Sequence, residues 1–308
     1  MTVLVHFIVM LGMFVVIPLG MSLIDGPGLG LLRRWWPLAA AAGSAALWLP
    51  RGPVATGCAA GYAAATLALA LQAPRRLVRT RSLAVFEVAV LTALATPAVA
   101  GAALVAERAG YRLFGFDLDI LALTVPHFHF AGFAAALISG LVCRGTGGGR
   151  AARAAALSVP VGTLLVLAGY FVDDWAELAG ALVLTAGMWL VGLLTWRDLR
   201  TKGPDRTTRA LLACSAAVLV ATMLLALSWA LGEATGLPHP SLAWMAATHG
   251  LGNALGFALC ALLAQRRLRA APAPEPAPAR APAPADAFAQ SHGTTTAPDI
   301  RTLKERTA

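Results

Sequence analysis

The chain has 308 residues, 58% hydrophobic and only 13% charged, where an average soluble domain carries about 25% charged residues; one soluble core is excluded. The formal charge of +9 invites a nucleic-acid partner, but the basic residues sit in short stretches beside apolar runs, as membrane topology requires, so none is expected. The apolar runs reach about 18 residues or more, enough to cross a hydrocarbon core of about 30 Å. They are continuous and do not alternate, which argues against a β-barrel. The expected fold is all-α: a polytopic transmembrane bundle of nine helices, with the lipid bilayer as its first partner.

Helix 1 is expected over about residues 2–23, as a retained span and not a signal peptide, because no basic stretch precedes its apolar run. Asp25-Gly-Pro-Gly28 ends it, and Arg33-Arg34-Trp35-Trp36 reads as a membrane interface. Helix 2 is short, about 35–50, and Pro50-Arg-Gly-Pro53 turns it into helix 3, about 54–72. Pro74 to Arg81 reads as a basic loop before helix 4, about 83–106. Glu107 to Asp119 is a longer mixed loop before helix 5, about 119–142. Helices 6 to 9 follow at about 154–171, 178–196, 209–231 and 241–265. The transmembrane domain thus covers 1–269, and the Pro/Ala repeat over 270–308 reads as a disordered cytoplasmic tail, because such a composition favours extended polyproline II and builds no core.

The loops after helices 1, 3, 5 and 7, with the end of helix 9, carry 17 of the 24 lysines and arginines, whereas the opposite loops hold Arg51, Arg108 and Arg112 alongside seven of the 15 acids. By the positive-inside rule the N-terminus lies outside and the C-terminus in the cytoplasm. Cys58, Cys143, Cys214 and Cys260 fall in four different apolar runs with no Cys-x-x-Cys spacing, so they read as small apolar side chains.

Two stretches carry chemistry. Thr124-Val-Pro-His-Phe-His-Phe-Ala-Gly-Phe133 sets His127 and His129 inside helix 5, and Thr248-His-Gly-Leu-Gly-Asn253 sets His249 and the chain's lone asparagine, Asn253, inside helix 9. A histidine at membrane depth is costly, so these four residues are the expected substrate-binding site. On a regular helix His127 and His129 point about 200° apart. Pro126 frees the carbonyl of Ala122, and the loosened turn can bring both rings to one cavity. The structural alternative is that a ring or Thr124 merely satisfies that freed backbone. His129, Gly132, Ala136 and Gly140 share one face, as do His249, Gly252, Asn253 and Gly256. Small faces let membrane helices approach, so helices 5 and 9 are expected to pack with their histidines at the contact. Glu87 reads either as a snorkelling headgroup contact or as a proton-relay carboxylate, and His6 as structural.

At Pro126-His-Phe-His-Phe-Ala-Gly-Phe133 and His249-Gly-x-x-Asn253-Ala-x-Gly256-Phe, the chain resembles the YndJ-like family of bacterial integral membrane proteins. The likeness extends over about residues 80–265, helices 1–3 adding only hydrophobicity. It implies a multi-pass protein of a bacterial inner (plasma) membrane without an established activity, sometimes labelled a transporter. Two functions stay open for His127, His129, His249 and Asn253. One is a small-molecule or ion transporter, since histidine titrates near pH 6.5 and can couple a proton to a solute. The other is a metal- or haem-dependent membrane enzyme, since neutral imidazoles ligate Zn, Cu and haem iron. No particular cofactor is implied.

Overall fold

The structure, a computed structural model, describes residues 2–271, all in helices and short connections; the expected Pro/Ala tail falls outside them from residue 272. The described residues form nine helical rods. Eight are long and apolar enough to cross a membrane: Val3–Ser22, Pro53–Thr80, Val85–Arg108, Leu118–Gly145, Arg150–Gly169, Asp174–Lys202, Arg206–Thr235 and Leu242–Ala270. Helix 2, Leu29–Trp48, is the ninth. It starts earlier than expected, so Arg33 and Arg34 ride on its first turns and not in a loop, which lowers its apolar character. Gly28, at φ 89°, makes the left-handed entry to it. Pro74 to Arg81 is likewise helical for most of its length, as Gln72–Thr80, and ends at Arg81 with φ 47°.

Neighbouring helices pair as antiparallel hairpins wherever glycine lets their backbones approach. In helices 6 and 7, Gly162 faces Leu184, Gly180 faces Val166 and Gly187 faces Ser158. In helices 8 and 9, Val218 packs on Gly256 and Thr222 on Gly252. The small face of helix 5 packs on helix 4, with Gly132 against Thr96 and Gly140 against Ala89. The glycines of helices 5 and 9 therefore pack on their sequence neighbours, because short connections favour adjacent antiparallel pairs, while the two helices also touch each other as expected.

The basic ends gather at one end of the bundle. Arg76 grips Glu87 through two bonds of 2.6 and 2.9 Å and donates to the Asp25 carbonyl at 2.5 Å. Arg269 pairs with Asp25, and Lys202 donates to the Gly145 carbonyl at 2.7 Å. Glu87 is thus a partner of Arg76. At the opposite end Glu107, only 1% exposed, pairs with Arg108 and with Arg51 at 2.9 Å. The Arg108 guanidinium also caps the carbonyls of Ala46, Leu47 and Leu49 at the end of helix 2. A buried pair that lost one member would leave an uncompensated charge, so this contact pins the helix 2–3 turn.

Candidate functional site

Midway through the bundle, three helices widen to π turns. These lie at Gly12–Val16 in helix 1, Phe128–Ala134 in helix 5, and Ala246–Gly250 with Gly252–Leu259 in helix 9. The segments of helices 1, 5 and 9 touch one another. A π turn shifts hydrogen bonds from four residues to five, and such turns frequently mark functional sites. In helix 1 the Ile17 N–H bonds the Gly12 carbonyl. The Met13 carbonyl then looks to residue 18, a proline without an N–H. The Trp36 indole of helix 2 supplies the missing donor, with Nε1 2.7 Å from that carbonyl.

Trp36 supports the centre of the site. Tyr62 of helix 3 meets it edge-on at 5.9 Å between centroids and meets His129 edge-on at 5.8 Å. Tyr62 and His129 are both 0% exposed, and the phenol oxygen lies 2.7 Å from His129 Nε2. The other ring nitrogen, His129 Nδ1, is buried without a hydrogen-bond partner. It faces Gly12, where a Cβ would come within 2.5 Å of it. Whichever of Tyr62 and Nε2 donates, Nδ1 keeps an unused donor or lone pair in a dry interior, where leaving a polar group unpaired costs about 1–3 kcal/mol. The Thr96 hydroxyl, beside Gly132, is another buried polar group without a partner.

His249 is treated differently. Its Nδ1 lies 2.7 Å from the Thr222 carbonyl, which only accepts, so Nδ1 carries the proton. Its Nε2 then accepts from Asn253 Nδ2 at 3.2 Å, and Asn253 Oδ1 accepts from the Thr222 hydroxyl at 2.7 Å. The three residues close a ring between helices 8 and 9.

The four residues singled out in the sequence thus separate. Asn253 orients His249, one helical turn away. His129 and His249 share no direct hydrogen bond. His127, which Pro126 was expected to turn inward with His129, is exposed. The π turn starts only at Phe128 and redirects His129 alone. Thr124 bonds the Ile120 carbonyl at 2.8 Å and so does not serve the carbonyl freed by Pro126. His6 stands edge-on to Trp48 at 5.0 Å, apart from this centre.

Gly12, Trp36, Tyr62 and Thr222 were missed. Tyr62 left a signal: it is one of three tyrosines in the chain and sits alone in an alanine-rich helix. Among the described residues no three His, Cys, Asp or Glu side chains converge as metal ligands. At the acidic end a cavity of about 390 Å³ is lined by Tyr170, Asp173, Glu177, Glu233 and His239 among others. There His239 pairs with Glu233 at 3.1 Å, and burial, reinforced by Glu177, raises the Tyr170 phenol above its ordinary pKa.

Such a bundle, with a polar centre on widened helices, defines a multi-pass membrane protein. The YndJ-like protein family model matches residues 7–257, and the chain belongs to that family. The match takes in helices 1–3, which the motif-based likeness left out and which supply Gly12, Trp36 and Tyr62. No curated protein and no solved structure matches the chain.

Proposed function

We propose that this protein moves a small molecule or an ion across a bacterial inner membrane, with His127, His129, His249 and Asn253 as its substrate contacts. One observation carries the reading: His129 is fully buried, yet keeps a ring nitrogen free where the π turns of helices 1, 5 and 9 meet. Membrane helices abandon regular α geometry where they line a site, and transporters place such irregular turns near mid-bilayer. Histidine supplies a proton-binding group in the physiological range. For the metal-enzyme alternative, no three His, Cys, Asp or Glu side chains converge among the described residues. The basic end faces the cytoplasm by the positive-inside rule, which puts the N-terminus outside.

The test is proton flux in proteoliposomes holding a pH-sensitive dye, challenged with a panel of alkali cations, divalent cations, organic ammonium ions and carboxylates. One solute should drive a pH change well above that of empty vesicles. His129→Ala and His249→Ala, each still monodisperse after purification, should reduce it at least tenfold. Flux equal to that of empty vesicles for the whole panel, or unchanged flux in both variants, would overturn the reading.

A further inference from the structure

Helices 8 and 9 form a seam whose facing residues recur at every turn. Thr222 meets Gly252, Val218 meets Gly256, and the next pair toward the basic end is Cys214 and Cys260. A Cβ added at Gly256 would come within 2.7 Å of the Val218 side chain, so the two helices reach this separation only because residue 256 is small. That approach brings Cys260 Sγ to 4.0 Å from Cys214 Sγ. The sequence gives no hint of it, because the two lie on different apolar runs. Cys214 is exposed and Cys260 half-buried, whereas Cys58 and Cys143 stand free elsewhere. Arg209 and Arg266 lie five and six residues beyond the pair, about 7–9 Å along the helices at 1.5 Å per residue. The pair is therefore shallow, near the basic rim and not at mid-membrane.

We propose that Cys214 and Cys260 are a reversible oxidation site, a dithiol that a small peroxide converts to a disulfide tying helix 8 to helix 9. A sulfur–sulfur bond of about 2.05 Å needs the two side chains to close by roughly 2 Å. In the first step one thiol loses its proton and its sulfur takes an oxygen from the peroxide; the peroxide bond breaks, water leaves and a sulfenic acid remains. In the second, the other sulfur loses its proton and attacks the sulfenic sulfur; the new bond forms and a second water leaves. The two sulfurs together give up two electrons, and the peroxide takes them. At a cytoplasmic rim the reducing pool keeps the dithiol open, and disulfides in that compartment are transient and redox-sensing. The bridge would fix the seam two turns from the ring of Thr222, His249 and Asn253, so it bears on helix 9 whatever solute the protein handles.

The experiment counts thiols in the full chain. Protein in detergent is treated with hydrogen peroxide or with diamide, quenched, unfolded in SDS and labelled with a polyethylene-glycol maleimide that adds a visible mass per free cysteine. The reduced chain should show four adducts, the oxidised chain two, and the chain returned to dithiothreitol four again. Cys214→Ser and Cys260→Ser should each show three adducts before and after oxidant. Should either variant fail to fold, mass spectrometry of the oxidised wild-type chain must find the two cysteine peptides linked. Four adducts at saturating diamide, or a linkage involving Cys58 or Cys143 in place of this pair, would overturn the proposal.

Discussion

Two histidines sit on widened helices of one bundle, and their surroundings are opposites. Around His249 both ring nitrogens are partnered: a carbonyl takes Nδ1, Asn253 serves Nε2, and Thr222 closes the circuit. Around His129 the protein satisfies one nitrogen through Tyr62, leaves the other bare, and presses it against a glycine. A satisfied network fixes geometry, whereas a bare buried polar atom in a native structure calls for an explanation beyond packing. The contrast divides the labour within the proposed site: helices 8 and 9 hold the His249 ring in one orientation, and helices 1, 3 and 5 leave a nitrogen of His129 free for a proton or a ligand.

The largest expected effect comes from filling the space beside the bare nitrogen. Gly12→Val would drive carbon into His129 Nδ1, and overpacking a tight interior costs about 1–3 kcal/mol. The thermal midpoint should fall, and solute-driven proton flux should vanish. Gly250→Ala is the matched control, since its nearest neighbour, Ile8, stands 3.6 Å from a built Cβ, an ordinary contact. If Gly12→Val were as stable and active as Gly250→Ala, the readiness assigned to His129 would be lost.

A smaller effect separates the two regions thermodynamically. Asn253→Ala and Thr222→Ala should each cost near the 0.6 kcal/mol average of interhelical hydrogen bonds in membranes. Together they should cost less than their sum, because both break one ring. Tyr62→Phe removes His129's one hydrogen bond and should cost about 1–3 kcal/mol. Combined with Asn253→Ala it should be additive within about 0.5 kcal/mol, as independent sites are. Coupling above about 1 kcal/mol between Tyr62 and Asn253 would merge the two regions into one network.

The nine helices were legible because apolar run length and loop charge are properties of the chain itself. So was the pairing of His249 with Asn253, a single turn apart on one helix. What lay beyond reading was anything set by which helices touch. The small faces around His129 and His249 were correctly seen as contact faces, but the sequence does not name the partner, and adjacency assigned them to helices 4 and 8. Tyr62 and Gly12 reach His129 from helices 3 and 1, across 67 residues in the case of Tyr62. Pro126 marks an irregular turn but does not distinguish a kink from a π turn beginning two residues later, and that difference decides why His129 turns inward while His127 stays open.

The smallest expected effect probes the satisfied region from its rim. Asp205 starts helix 8: its Oδ1 accepts the Thr208 N–H at 2.8 Å, and its Oδ2 takes Arg267 Nη2 of helix 9 at 2.8 Å. The Thr208 backbone bond first, and then Arg267, pull its pKa down to about 2. A carboxyl whose folded pKa is depressed stabilises the fold above its unfolded value, near 3.8, and loses that contribution as pH falls through the folded value. Asp205→Asn keeps an oxygen for the cap, since asparagine caps as well as aspartate, and removes only the charge facing Arg267. The gap in thermal midpoint between wild type and variant should be small, since the pair is exposed and screened by salt. It should be constant from pH 7 to pH 5 and close between about pH 4 and pH 2. Tyr62→Phe, measured alongside, should show no change of its gap over the same window, because no carboxylate takes part in that contact. If the Asp205→Asn gap stayed flat down to pH 2, the charge would contribute nothing to the seam, and its stability would rest on the ring of Thr222, His249 and Asn253 and on glycine packing alone.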